Sequence, residues 1–142
     1  MMKKITALLL VFLLIMSSTA ICSAAQFEPV APCYVNTSRA SVTLGINSSG
    51  VATVSVQCVG YSFATSITAK TYLERKVGNA WVDVNIDTTD DVWIDSTTST
   101  VLIKSHTCQL YIKGEYRVTT EFTVTGASQN ETFSLSQTHT YS

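Results

Sequence analysis

From Ala40 onward the chain alternates apolar and polar side chains with a period of two. Ala40, Val42, Leu44 and Ile46 fall on one side of an extended segment, and Ser41 and Thr43 fall on the other. Successive side chains of a strand point to opposite faces, so this rhythm predicts a half-buried β-strand. Asn47-Ser48-Ser49-Gly50 then reads as a turn, because Asn and Gly tolerate positive φ. Ala52, Val54, Val56 and Cys58 continue as a second strand, with Thr53, Ser55 and Gln57 outside. After a loop containing Gly60, the residues Ile67, Ala69 and Leu73 share a face with Thr71, and Gly78-Asn79 makes the next turn. Val82, Val84 and Ile86 are expected to point inward, which turns Trp81, Asp83, Asn85 and Asp87 out. Val101 and Ile103 mark a further strand.

The cleanest alternation is GEYRVTTEFTV, which sets Tyr116, Val118, Thr120, Phe122 and Val124 against Glu115, Arg117, Thr119, Glu121 and Thr123. Phe133 and Leu135 alternate in the last strand. No window carries helical spacing, and Pro29 and Pro32 both precede the first strand. About seven short strands in about a hundred residues predict an all-β fold, an antiparallel sandwich.

The first residues read differently. MMKK, the apolar run Ile5 to Met16 and the small residues up to Ala25 have the layout of a cleavable signal peptide, residues 1–25, with Ser23 and Ala25 before the cut. A run of twelve residues is too short to span a bilayer, so no membrane span is expected after cleavage. A lipid anchor on Cys22 is disfavoured by the bulk of Ile21 before it. The mature chain, 26–142, is then one secreted, extracellular domain. Its seven basic side chains face ten acidic ones, a balance that argues against a nucleic-acid partner. Ser and Thr supply 33 of its residues, a composition that leans toward strand over helix.

The segment TYLERKVGNAW, followed some thirty residues later by YIKGEYRVTTEFTV, resembles a group of small secreted proteins of Gram-positive bacteria. The resemblance rests on Leu73-Glu74-Arg75-Lys76, Trp81 and Gly114-Glu115-Tyr116-Arg117-Val118. It implies a bacterial exported protein with a single immunoglobulin-like β-sandwich and a function not characterised, an address and a fold without an activity. Against immunoglobulin domains proper, Tyr116 is similar to the corner tyrosine that precedes the second inter-sheet cysteine by two residues. Here that position is Val118, so the usual bond across the core is absent. Cys33 beginning the first strand and Cys58 ending the second would lie at one end of the sandwich, which favours a Cys33–Cys58 disulfide. Cys108 would lie at the other end, outside that bond or joining two copies as a homodimer.

Candidate chemistry concentrates in Trp81 to Asp95, which holds five aspartates and no lysine or arginine. Asp83-x-Asn85-x-Asp87 opens like a calcium loop, but the sixth position is Thr88 instead of Gly and the twelfth is Ile94 instead of Glu. On a strand Asp83 and Asp87 would stand about 13 Å apart, too far for one ion. If Thr88-Thr89-Asp90 turned a hairpin, Asp83 would oppose Asp95 and Asp87 would oppose Asp91. Like charges so placed repel, so either that pairing is avoided or a cation relieves it. No metal or cofactor is predicted. His106-x-Cys108 with the distant His139 falls short of a zinc set. No nucleophile elbow is present, so the chain is not expected to be an enzyme.

A binding surface remains, acting on an unidentified protein or glycan partner. Its candidates are Trp93, Asp91 and Asp95 on one strand face, with Tyr61 and Phe63 from a loop, since exposed aromatics beside carboxylates stack sugars or hold cations. The competing reading turns Trp81 or Trp93 into the core. A structural, envelope-associated role through self-association is the alternative, and a secreted enzyme the remoter one.

Overall fold

The computed structural model describes residues 34–86 and 88–142; the expected signal peptide, Pro29, Pro32, Cys33 and Asp87 lie outside them. Eight strands follow in order: β1 (Thr37–Ile46), β2 (Val51–Gly60), β3 (Ser66–Val77), β4 (Ala80–Asp83), β5 (Val92–Thr97), β6 (Val101–Gln109), β7 (Gly114–Thr125) and β8 (Asn130–Tyr141). All pairings are antiparallel. One sheet runs β1-β2-β6, the other β4-β3-β7-β8, and β5 pairs with β3 beyond the end of β4. The architecture is all-β and sandwich-like.

Alternation dictates the core. Val42 and Leu44 of β1, and Ala52, Val54, Val56 and Cys58 of β2, face Ile67, Ala69 and Leu73 of β3 and Tyr116, Val118, Phe122 and Val124 of β7 within one buried cluster. Each fully buried Val, Leu, Ile or Phe contributes about 1.5–3 kcal/mol of transfer free energy, so this cluster is the main source of stability. Two polar residues break the apolar face. Thr71 and Thr120 oppose each other across β3 and β7, fully buried, with hydroxyl oxygens 2.9 Å apart. Each hydroxyl is the other's partner, which removes the cost of burying it.

Turn chemistry follows the sequence. Asn47 caps the β1–β2 turn: its Oδ1 accepts from Ser49 N and Val51 N at 3.0 and 2.9 Å. Gly50 closes it at φ 80°. Gly126 is required by close approach, since a Cβ there would meet Asn36 Oδ1 at 2.2 Å.

Three departures from simple parity stand out. Val82 is half exposed, at 50%, although Ile86 is buried as expected. On β5 the expected faces are exchanged: Trp93 and Asp95 point inward, at 8% and 9%, and Ile94 points out at 61%. The reason is register. Trp93 pairs with Thr71 and Asp95 with Ala69, so they inherit the core face of β3, where small neighbours leave room for an indole. On β6 Leu102 is the buried residue, and Val101 and Ile103 are exposed. The opposed aspartates do not arise, because β4 and β5 each pair with β3 and not with each other.

Replacing Thr71 or Thr120 singly by Val should cost about 1–3 kcal/mol, because the surviving hydroxyl is left buried and alone. The double replacement should recover most of that loss. Urea unfolding of the two single variants and the double variant measures this, and additive losses would show that the pair is not coupled.

Candidate functional site

A stack of two sheets has two flanks where strand edges face each other, and this chain treats them differently. On the β1–β8 flank, side chains of β8 satisfy backbone groups of β1 and the residues before it. Glu131 accepts from Val35 N, from Asn36 N at 3.1 Å and from Thr37 Oγ1 at 2.7 Å. Gln137 Oε1 accepts from Leu44 N at 2.6 Å. Asn36, itself buried, donates to the carbonyls of Val124 and Gln129 at 3.1 and 2.9 Å.

On the opposite flank, edge strand β5 of one sheet lies beside edge strand β6 of the other. His106 Nε2 sits 2.6 Å from Asp95 Oδ2, and the imidazole lies parallel to the Trp93 ring with centroids 5.0 Å apart. A neutral ring donates there as its Nε2–H tautomer; a protonated ring turns the contact into an ion pair. Trp93 and Asp95 therefore close the core and do not form a surface for partners, which corrects the expected contact face.

Beyond that closure the flank opens. Between the segment from β4 toward β5 and the end of β6 lies a groove of about 840 Å³. Val84, Ile86, Leu110 and Tyr116 supply its apolar lining, with Arg75, Asp83, Asn85 and Gln109 adding polar groups. Its walls are held from outside the strand ladders. Asp91, at φ 52°, accepts from Ile86 N through Oδ1 at 3.2 Å, and Thr88 Oγ1 accepts from Val92 N at 2.9 Å. On the other wall Leu110 N donates to Gly50 O at 2.8 Å, and Tyr116 Oη donates to Ile112 O. These bonds fix Leu110-Tyr111-Ile112, of which Leu110 is buried and Tyr111 is 86% exposed. The groove lies within the 300–1,000 Å³ range of ligand sites. The strands beside it, β4 and β6, each have one neighbour among the described residues.

The remaining sequence candidates lie elsewhere. Tyr61 and Phe63 are exposed in the β2–β3 connection and stack with centroids 5.7 Å apart. Trp81 is half-buried on the outer face of the larger sheet, with the Arg117 guanidinium carbon 4.4 Å from its ring centroid. Arg117 in turn grips Glu74 with Nε and Nη2, both at 2.8 Å, and that bond raises its pKa. Lys76 pairs with Glu115 at 2.8 Å. The structure thus separates the five expected contact residues into a loop pair, a buried pair and a groove brace, Asp91. Arg75, Tyr111 and Ile112 were not among them. The signal for two of these was the run Leu110-Tyr111-Ile112, which interrupts the alternation. No group of three or more metal-ligating side chains forms among the described residues.

No family model, curated protein or solved structure matches the chain.

Cys58 and Cys108 occupy opposite ends of the β2–β6 ladder, paired with Leu102 and Ala52 respectively, about 20 Å apart at 3.3 Å per residue. Cys33 lies outside the described residues. Burial pushes the Cys58 thiol up to about 11, opposed by a hydrogen bond with Thr37. In the reduced protein, alkylation of Cys58 at pH 9 should be slower in the native chain than in urea, on the order of fifty-fold from ionisation alone. Because the folded pKa exceeds the unfolded value of 9.0, stability should be full below pH 9 and fall as pH rises toward 11. Mass-spectrometric alkylation rates check the first point and urea midpoints the second; equal rates in both states would contradict the burial.

Proposed function

We propose that this chain is a secreted, non-catalytic binding module with an immunoglobulin-like sandwich, which holds an extended partner segment in the groove between β4 and β6. The single observation behind the reading is the contrast between flanks. One is stitched along its length by Glu131, Asn36 and Gln137, and the other is closed only in part by Trp93, Asp95 and His106. Two strand edges border an apolar cleft there, and an added strand finds both backbone partners and side-chain pockets in such a place.

The immunoglobulin-like assignment draws support from the Tyr116 hydroxyl reaching back to the Ile112 carbonyl, the geometry of a tyrosine corner. The departure is β5, which joins β3 and gives sheets of three and five strands. Export rests on the sequence of residues 1–25, and secretion sets the partner outside the cell, as a protein or glycan chain.

Two measurements test the reading. N-terminal sequencing of protein recovered from culture medium should begin at Gln26, and a start at Met1 in that fraction contradicts export through this signal. Affinity capture of extracellular material should fall at least tenfold with Ile112→Asp and be unchanged with Ile94→Asp on the outer face of the larger sheet. The reverse result removes the groove from the function.

Self-association is the second reading, and one observation favours it. The outer face of the smaller sheet carries Ser41, Thr43, Ser55, Gln57, Ile103 and Ser105, with the charges of Arg39 and Lys104 at its margins, and Ile103 is 65% exposed. Sedimentation of the secreted protein at rising concentration should show a species that Ile103→Lys abolishes if copies stack on this face. A monomer at all concentrations excludes it.

A further inference from the structure

We infer that the groove selects an acidic segment: Arg75 receives an Asp or Glu side chain of an extended peptide whose apolar residues lie against Val84, Ile86 and Leu110. This rests on the groove being the binding site and names the chemistry of its occupant. Arg75 stands on the core-facing side of β3, two residues beyond the fully buried Leu73, with Val82 beside it on β4 and Tyr116 on β7. Its side chain is half-buried and lines the groove.

The treatment of neighbouring cations makes Arg75 unusual. Arg117, the other half-buried cation, is held by both oxygens of Glu74, and Lys76 is held by Glu115. Those acids lie on the opposite face of the sheet. Among the described residues no carboxylate comes within ion-pair distance of Arg75. Asp83 lines the same groove, but its register partner is Glu74, so it follows the outer face. The described lining carries one cation, Arg75, and one carboxylate, Asp83, while Asp91 braces the wall through the backbone N–H of Ile86.

A partly desolvated guanidinium without an anion is costly. Its planar fork matches a carboxylate in a bidentate grip, which is stronger than a neutral hydrogen bond. The bordering strand edges hold the peptide extended. An acid at the Arg75 position then fixes the register of the added strand, since a slip of one residue turns it to the wrong face.

The test uses the secreted protein and two pools of random octapeptides, all acetylated and amidated at their ends. One pool contains Asp and Glu; in the other, Asn and Gln replace them. Wild type should retain the acidic pool at least tenfold over the neutral one. Arg75→Gln should lower acidic retention to the neutral level, and Arg75→Lys, which keeps the charge without the fork, should fall between. Ile112→Asp should abolish retention of both pools, and urea midpoints confirm that each variant is folded. Equal retention of the two pools by wild type overturns the acidic preference and leaves the groove reading standing. Retention indifferent to Ile112→Asp, or no retention by wild type, overturns both.

Discussion

Everything in this molecule depends on how two stacked sheets close their flanks. Face-to-face packing buries the side chains that alternation supplies, but it leaves each outer strand with a row of N–H and C=O groups lacking a sheet partner. Such edges invite pairing with other chains unless they are covered. Here side chains do much of the covering. Glu131 and Gln137 on β8 are placed on the core side of their strand by register with Val124 and Val118, and from there they reach the N–H groups of Asn36 and Leu44. A carboxylate and an amide on a core-facing row look like errors in an apolar pattern, and their role is the seam. The opposite seam is closed side chain to side chain, Asp95 against His106, with an indole stacked against the imidazole.

That division explains which parts of the fold were legible in the sequence. Strands β1, β2, β3 and β7 have neighbours or a buried face along their length, so period two maps onto burial, down to the Thr71–Thr120 pair, except where a bulge at the start of β1 turns Thr37 inward. Turns with Asn47 and Gly50 were readable because a single conformation demands those residues. Failure came at the open flank. Parity within β5 was clear, but its sign was not, because an aspartate and a tryptophan look wet beside Val92 and Ile94 until His106 is known to stand across from Asp95. Val82 misled for a related reason: on the four-residue β4 it has the core-facing parity of Arg75 but opens onto the groove, where it stays half exposed. The expected contact residues scattered for the same cause, since their grouping assumed one face for Asp91, Trp93 and Asp95.

The groove was nearly invisible from sequence, because its parts come from segments far apart in the chain. Arg75 sits in an ordinary-looking charged run, Glu74-Arg75-Lys76, where alternation sends the middle residue to the other face from its neighbours. Glu74 and Lys76 find opposite charges on β7 along the outer face. Arg75 is carried inward, beyond the reach of those acids. A single step of period two thus separates a paired surface cation from one at the mouth of the cleft that has no ion-pair partner among the described residues.

The segment after β6 bears on whether the groove is a by-product of packing or a feature with a purpose. Folding needs one plug there, and buried Leu110 provides it, anchored by its own N–H to Gly50. The Tyr116 hydroxyl needs only the carbonyl of Ile112, and any side chain at that position offers the same carbonyl. Neither requirement explains an exposed Tyr111 followed by an exposed Ile112 in a chain whose surface is otherwise rich in Ser and Thr. Exposed apolar side chains scattered singly are ordinary. Two in succession at the mouth of a cleft, pinned by bonds that restrict their backbone, are the observation in favour of the proposed contact surface.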